Sequence, residues 1–363
     1  MRLSEERKQL FKEMCETVAV SGKEKMMARL LKKHYEPLCD EILYDNLGSI
    51  IAHKKSKNPN APKVLVLAHM DEVGFRIGDI LADGTLRFAP TRSGVWDQTL
   101  MAQRVYIQTR DYKLIPGVID TIPPHQLTAA LRSQPMTFDR MYIDVGAKSR
   151  AEVEAMGIRR FDACVVRGDF EELGDGSRLL AKAFDDRIGC ILGVEVLQEL
   201  LNEELDIDLY VGASVQEEVG TRGAQTVTQM IHPDFAIVVD CSPASDMGGA
   251  KDQYGQLGGG LLLRYVDASM LAFPALINYQ EEMAKKCEVK AQPYLSQGGT
   301  DAGVVHKCFD GVLTLTQCLC ARNIHTNASI IDLDDYEGSK KVLLAMLRDL
   351  NAAKIQEFRE EAR

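Results

Sequence analysis

Val64-Leu65-Val66-Leu67-Ala68, followed at once by His69-Met70-Asp71, is the stretch on which the fold turns. A strand with one wet face alternates apolar and polar residues. A strand that is apolar at every position is covered on both faces. Working outward, similar apolar runs return at residues 209–214, 235–239 and 312–320. Helical patterns occupy 188–201, 268–287 (broken near Pro274) and 336–350. Strands alternating with helices predict an α/β fold, a mostly parallel central sheet with helices on both faces. Such sheets carry their sites at the carboxyl ends of the strands. Upstream, Ser21 with Glu24 forms a capping-box signature before Met26, Met27, Leu30 and Leu31 at helical spacing, and Pro37 is the expected stop.

Residues 74–169 have a different texture. Asp83-Gly84 is a hairpin signal between two short apolar stretches. Val105 and Ile107 alternate with polar neighbours. Pro116-Gly117 and Pro123-Pro124 punctuate, and Ser149 with Glu152 caps a short helix. The expected division is therefore a discontinuous α/β unit, 1–73 with 170–363, interrupted by an inserted β-rich domain, 74–169.

Bulk properties narrow the class. At 363 residues, 45% of them hydrophobic and 26% charged, the chain suits about two globular domains. Its net charge of −10, with no basic face, excludes a nucleic-acid partner. Residues 1–9 are charged and lack the apolar core of a signal peptide. No apolar run approaches the roughly 18 residues of a membrane span. The nine cysteines are scattered, with no Cys-x-x-Cys pair, which suits a reducing compartment. A cytoplasmic protein with no membrane contact is expected. Cys318 and Cys320, two apart on a strand, read as packing residues.

What stands at the strand ends carries the chemistry. The first run ends in His69-Met70-Asp71, the second in Gln216-Glu217-Glu218 and the third in Asp240. The fourth leads to His325, and Asp185 precedes a helix. Each feature alone is commonplace: a structural histidine, a solvated glutamate pair, acids at a helix start. Their convergence on one edge of one sheet is not. So many carboxylates repel one another unless cations neutralise them. Imidazole and carboxylate suit zinc, cobalt or manganese. Two such ions about 3.5–4 Å apart are a recognised hydrolytic design. One histidine and one acid per ion, with a bridging carboxylate, would use up the set. Consecutive strand residues face opposite ways, so one of Glu217 and Glu218 would ligate and the other act as base. Asp71, two residues after His69, is placed to accept a hydrogen bond from a ligand imidazole.

Six segments, Ala68-His69-Met70-Asp71-Glu72-Val73-Gly74, Phe184-Asp185-Asp186-Arg187, Gln216-Glu217-Glu218-Val219-Gly220, Val239-Asp240, Gly298-Gly299-Thr300-Asp301-Ala302 and Ala321-Arg322-Asn323-Ile324-His325, resemble those of a known family, the TET-type metallo-aminopeptidases. Val239-Asp240-Cys241-Ser242-Pro243-Ala244-Ser245-Asp246, Ile122-Pro123-Pro124-His125 and the stretch from Gly298 to Gly303 are similar to its bacterial glutamyl aminopeptidase branch. The resemblance implies cleavage of amino-terminal residues from short peptides. It implies two divalent ions, one held by His69 and Asp240 and the other by Glu218 and His325. Asp185 would bridge them, and Glu217 would be the general base. It further implies that the inserted domain dimerises and that dimers build a hollow dodecamer. Arg222, Lys251 and Arg322 are the candidate cations for an acidic substrate side chain. Two departures stand out. Asp186 replaces the family's usual Asn, an extra acid expected to weaken attraction for acidic substrates. Asn323 and Thr326 replace Tyr and Ser around His325. The departures motivate one alternative, a peptidase-like scaffold that binds metal or peptide without turnover. Another is a glycoside hydrolase using the paired glutamates. That needs two carboxyls facing each other across about 5–5.5 or 6.5–9.5 Å, and leaves the histidines unexplained.

Overall fold

The computed structural model describes residues 2–92, 94–249 and 254–361. Its centre is an eight-stranded sheet. In spatial order the strands are Glu41–Tyr44, Ile50–Lys54, Asp208–Ser214, Lys63–His69, Phe235–Pro243, Leu313–Ala321, Leu261–Val266 and Ala291–Leu295. The four strands from Asp208–Ser214 to Leu313–Ala321 run parallel, with Ser214 opposite His69 and Asp240 opposite Cys318. Antiparallel pairings lie toward the edges.

The run at 64–68 behaves as its composition predicts. Val64, Val66 and Ala68 enter one hydrophobic core, and Leu65 and Leu67 the other. The period of two divides a continuous apolar run between the two faces. Helices Glu5–Glu16, Lys25–Tyr35, Phe184–Glu199, Pro274–Lys286 and Leu333–Asp349 cover the first core. Helices Arg222–Ile231 and Ala302–Val305 cover the second. Each fully buried aliphatic side chain contributes roughly 1.5–3 kcal/mol.

Strands Phe75–Ile80, Leu86–Pro90, Arg104–Gln108, Leu114–Thr121, Met141–Asp144 and Ala163–Val166 close into a barrel with its own core. The first two pair as the predicted hairpin, with Gly84 at φ +87° in the turn. Ser149 caps Arg150–Ala155 by accepting the Glu152 amide at 3.3 Å.

Three local expectations fail. Ser21 and Glu24 make no capping box: the helix begins at Lys25 without a side-chain cap. Instead Glu24 Oε1 accepts from the amides of Gly22 (2.6 Å) and Gln216 (3.2 Å). The helical material at 268–287 is confined to Pro274–Lys286, because proline supplies a favourable first residue. Asp240 does not end its strand, which continues to Pro243.

A buried ionic cluster ties the first helices to the sheet. Glu72 Oε2 lies 2.6 Å from Lys182 Nζ, and Glu72 Oε1 accepts from Ala19 N (2.9 Å) and Arg187 Nη2 (3.4 Å). Arg187 Nη1 also donates to the carbonyls of Met14 (2.6 Å) and Thr17 (2.9 Å).

Candidate metal centre

His69 closes its strand, and its imidazole is held by the segment that follows: Nδ1 lies 3.1 Å from the Asp71 carbonyl oxygen. The Asp71 carboxylate is further away, 3.5 Å from the same nitrogen. This corrects the expected carboxylate–imidazole bond. Asp71 works elsewhere. Its Oδ1 accepts from Glu217 N at 2.9 Å, and its Oδ2 from Glu218 N at 3.2 Å and Ser21 Oγ at 2.6 Å. The supposed capping serine thus holds the acid that pins both glutamates.

Those glutamates are not strand residues. The strand stops at Ser214, and Gln216, at φ +59°, starts a turn. The turn, not strand pleating, separates the pair. Glu217 Oε2 lies 4.0 Å from His69 Nε2, and Glu218 Oε2 lies 3.4 Å from His325 Nε2.

Asp185 stands between the two histidines. Its Oδ1 is 3.0 Å from His69 Nε2, and its Oδ2 is 3.0 Å from His325 Nε2. Two trios of donor atoms result, His69 with Asp185 and Asp240, and Asp185 with Glu218 and His325. Within each, all donor atoms lie within 4.8 Å of one another. All five candidate ligands therefore converge, with Asp185 shared.

The electrostatics fit a divalent pair. Burial, then the charge of Asp185, pushes both Glu218 and Asp240 up to about 8. Burial also raises Glu217 well above the carboxylate range. Burial opposes charge on His325, yet Asp185 and Glu218 lift it to about 10. Carboxylates that resist ionisation beside imidazoles drawn toward protonation form a site short of positive charge. Glu218 Oε1 is buried without a hydrogen-bond partner, as a ligand oxygen waiting for a cation would be.

The departures cause no local disorder of bonding. Asp186 is fully buried and accepts from His69 N (3.3 Å) and Gly189 N (3.1 Å). Burial, then Asp240, holds its carboxyl well above the usual range. Asn323 Nδ2 donates to the Ala328 carbonyl at 3.2 Å, and Thr326 Oγ1 to the Asn323 carbonyl at 2.8 Å, so both substituted residues brace the turn that presents His325.

Of the candidate cations, Arg322 is engaged by Asp246 through two bonds of 2.7 and 2.8 Å. Arg222 Nη1 donates to Gln216 Oε1 at 3.2 Å. Lys251 lies outside the described residues. One acid beside the site went unassigned in the sequence. Asp301 is buried, accepts from Ser214 Oγ at 2.5 Å and leaves Oδ1 without a partner. It falls in the quoted Gly298–Ala302 motif but on no strand end, so position gave it no role.

Comparison with known proteins agrees with this geometry. A family model described as M42 glutamyl aminopeptidase matches residues 48–342. A glutamyl aminopeptidase of Lactococcus lactis is 38% identical over 96% of this chain and 98% of its own. A lysyl aminopeptidase of Pyrococcus furiosus is 34% identical over 94% and 97%. Among solved structures, the Pyrococcus horikoshii TET1 peptidase superposes with a TM-score of 0.83 at 26% identity, covering 94% of this chain and 99% of that one. That peptidase can assemble into a tetrahedron or a large octahedral shell.

Proposed function

Because the chain belongs to the M42 glutamyl aminopeptidase family, we propose that it is a metal-dependent aminopeptidase that releases single amino-terminal residues from short peptides, acidic ones first. The observation that carries this reading is the Asp185 carboxylate set between His69 and His325, 3.0 Å from each. His69 and Asp240 would hold one divalent ion, Glu218 and His325 the other, and Asp185 both. Zinc or cobalt suits these donors best, and manganese is compatible. When bound, the ions polarise the scissile carbonyl and acidify the attacking water. Glu217, on the His69 side, takes the proton of that water and returns it to the leaving amine. Asp71 keeps Glu217 in place through its backbone amide.

The acidic preference rests on similarity to a glutamyl aminopeptidase, with the lysyl relative as its counterweight. With Arg322 spent on Asp246, Arg222 is the described candidate for an acidic side chain. The barrel exposes Trp96 (67%) and Phe161 (70%). We read it as the dimerisation unit of a cytoplasmic dodecamer. Among the described residues no helix is long and apolar enough to cross a membrane.

The test is a panel of Glu, Asp, Leu, Ala and Lys p-nitroanilides with zinc, cobalt or manganese and a chelator control. Chelator-sensitive release led by Glu or Asp is expected. Release led by Lys would overturn the acidic preference alone. Two ions bound with no release from any substrate would overturn the enzyme and favour the non-catalytic scaffold.

A further inference from the structure

The two imidazoles are oriented by different parts of the molecule. His69 Nδ1 is held by a carbonyl of its own segment, Asp71 O. His325 Nδ1 donates to the carbonyl of Gly94 at 2.9 Å, and Gly94 belongs to the stretch between two barrel strands, Leu86–Pro90 and Arg104–Gln108. The stretch is fastened just ahead of Gly94. Thr91 N donates to the Gly74 carbonyl at 2.8 Å, and Arg92 Nη1 donates to the carbonyl of Val219, the residue after Glu218.

Gly94 is required twice over. Its φ of +120° is one that side chains rarely adopt. A Cβ there would also stand 3.1 Å from His325 Nδ1 and 3.4 Å from Cε1. A residue larger than glycine would crowd the approach of its carbonyl to the imidazole. In the neutral imidazole that a metal requires, a bond from Nδ1–H leaves Nε2 unprotonated, and Nε2 is the atom that faces Asp185 and Glu218.

We propose, building on the metallopeptidase reading above, that the inserted barrel completes one of the two metal positions. The Gly94 carbonyl fixes the tautomer and angle of His325. The His325 position therefore depends on the seating of the barrel, and the His69 position does not. Gly94 is a positioning residue and touches no substrate.

The test is equilibrium dialysis of chelator-stripped protein against cobalt. Wild type is expected to bind two ions. Gly94→Ala keeps one at wild-type affinity and holds the other about 10- to 100-fold more weakly, the usual cost of losing the partner of a ligand imidazole. His325→Ala weakens the same ion, and adding Gly94→Ala to it costs nothing more. In the NMR spectrum of the cobalt protein, the exchangeable N–H signal that His325→Ala deletes also disappears in Gly94→Ala. Gly146→Ala is the control. It places a side chain at another positive φ (+77°) in the barrel with nothing within 4 Å, and keeps both ions. If Gly94→Ala does not fold, Arg92→Met, which frees the stretch from the Val219 carbonyl, is expected to weaken the same ion and to broaden or remove the His325 N–H signal, which a disturbance of the Glu218 turn alone would leave in place. Two tight ions and an intact N–H signal in the folded Gly94 variant, or unchanged affinity in Arg92→Met when it stands in, would overturn the inference. A wild-type chain that binds no metal would instead overturn the metallopeptidase reading itself.

Discussion

Glu217 is the residue whose chemistry is most sharply exposed to test. Glu217→Gln preserves its shape and its amide bond to Asp71 but removes the proton acceptor. General-base catalysis typically contributes 10²–10⁴-fold. The variant is expected to lose at least about 10²-fold in kcat while metal analysis still finds two ions. Turnover near the wild-type rate would assign the base elsewhere. That the five ligand candidates lie near one edge of the sheet was legible from the α/β texture and the motif segments, although Asp240 lies inside its strand and Glu218 in a turn beyond one. The support around them was not legible. Ser21 reads as a helix cap because Ser-x-x-Glu has one local meaning, whereas its actual partner, Asp71, is remote in sequence. Gly94 carries no signal, since its function is a carbonyl and a backbone angle.

Among elements, the joint between the first helices and the sheet depends on Glu72, Lys182 and Arg187, all buried. Burial lowers the Lys182 ammonium, and Glu72 works against that. Glu72→Gln leaves two buried cations facing a neutral amide, so a loss of about 3–5 kcal/mol is expected from urea unfolding. A loss below about 1 kcal/mol would show the cluster to be wet. The turn that carries Glu217 is joined to the amino-terminal segment by Glu24, whose carboxyl is pushed up to about 7, by burial first and then by Asp71. Between the ordinary 4.5 and 7 the folded chain keeps a proton that the unfolded chain has released. The stability this proton contributes is complete at the acid end and vanishes as pH rises through 7. Glu24→Gln is expected to gain on wild type by on the order of 3 kcal/mol between about pH 4.5 and about pH 8. A gap that stays flat with pH would mean that Glu24 is ionised throughout. The four parallel strands were legible because apolar continuity is a property of each segment, whereas Glu41–Tyr44, Leu261–Val266 and Ala291–Leu295 went unread. The sheet's antiparallel edges, and the turn at 216–221, depend on pairing and backbone angles that no local pattern encodes.

At the scale of the whole molecule, the likeness to a TET peptidase that can assemble into a tetrahedron or a large octahedral shell predicts association. Native mass spectrometry is expected to find twelve chains per particle, with dimers as the smaller species at high dilution. A monomer at all concentrations would remove the assembly from the proposal. The β-rich texture of the insert was visible in its short alternating strands, although its closure into a barrel was not, since closure depends on which strands meet. The order of the donors along the chain has a further consequence. His69 lies early and His325 near the end, with Asp185, Glu218 and Asp240 between. Ribosomes add roughly 5–20 residues per second. Tens of seconds therefore separate the emergence of the first donor from that of the last. Throughout that interval the nascent chain carries an incomplete set of donors, so the candidate metal centre can close only in the last stage of synthesis.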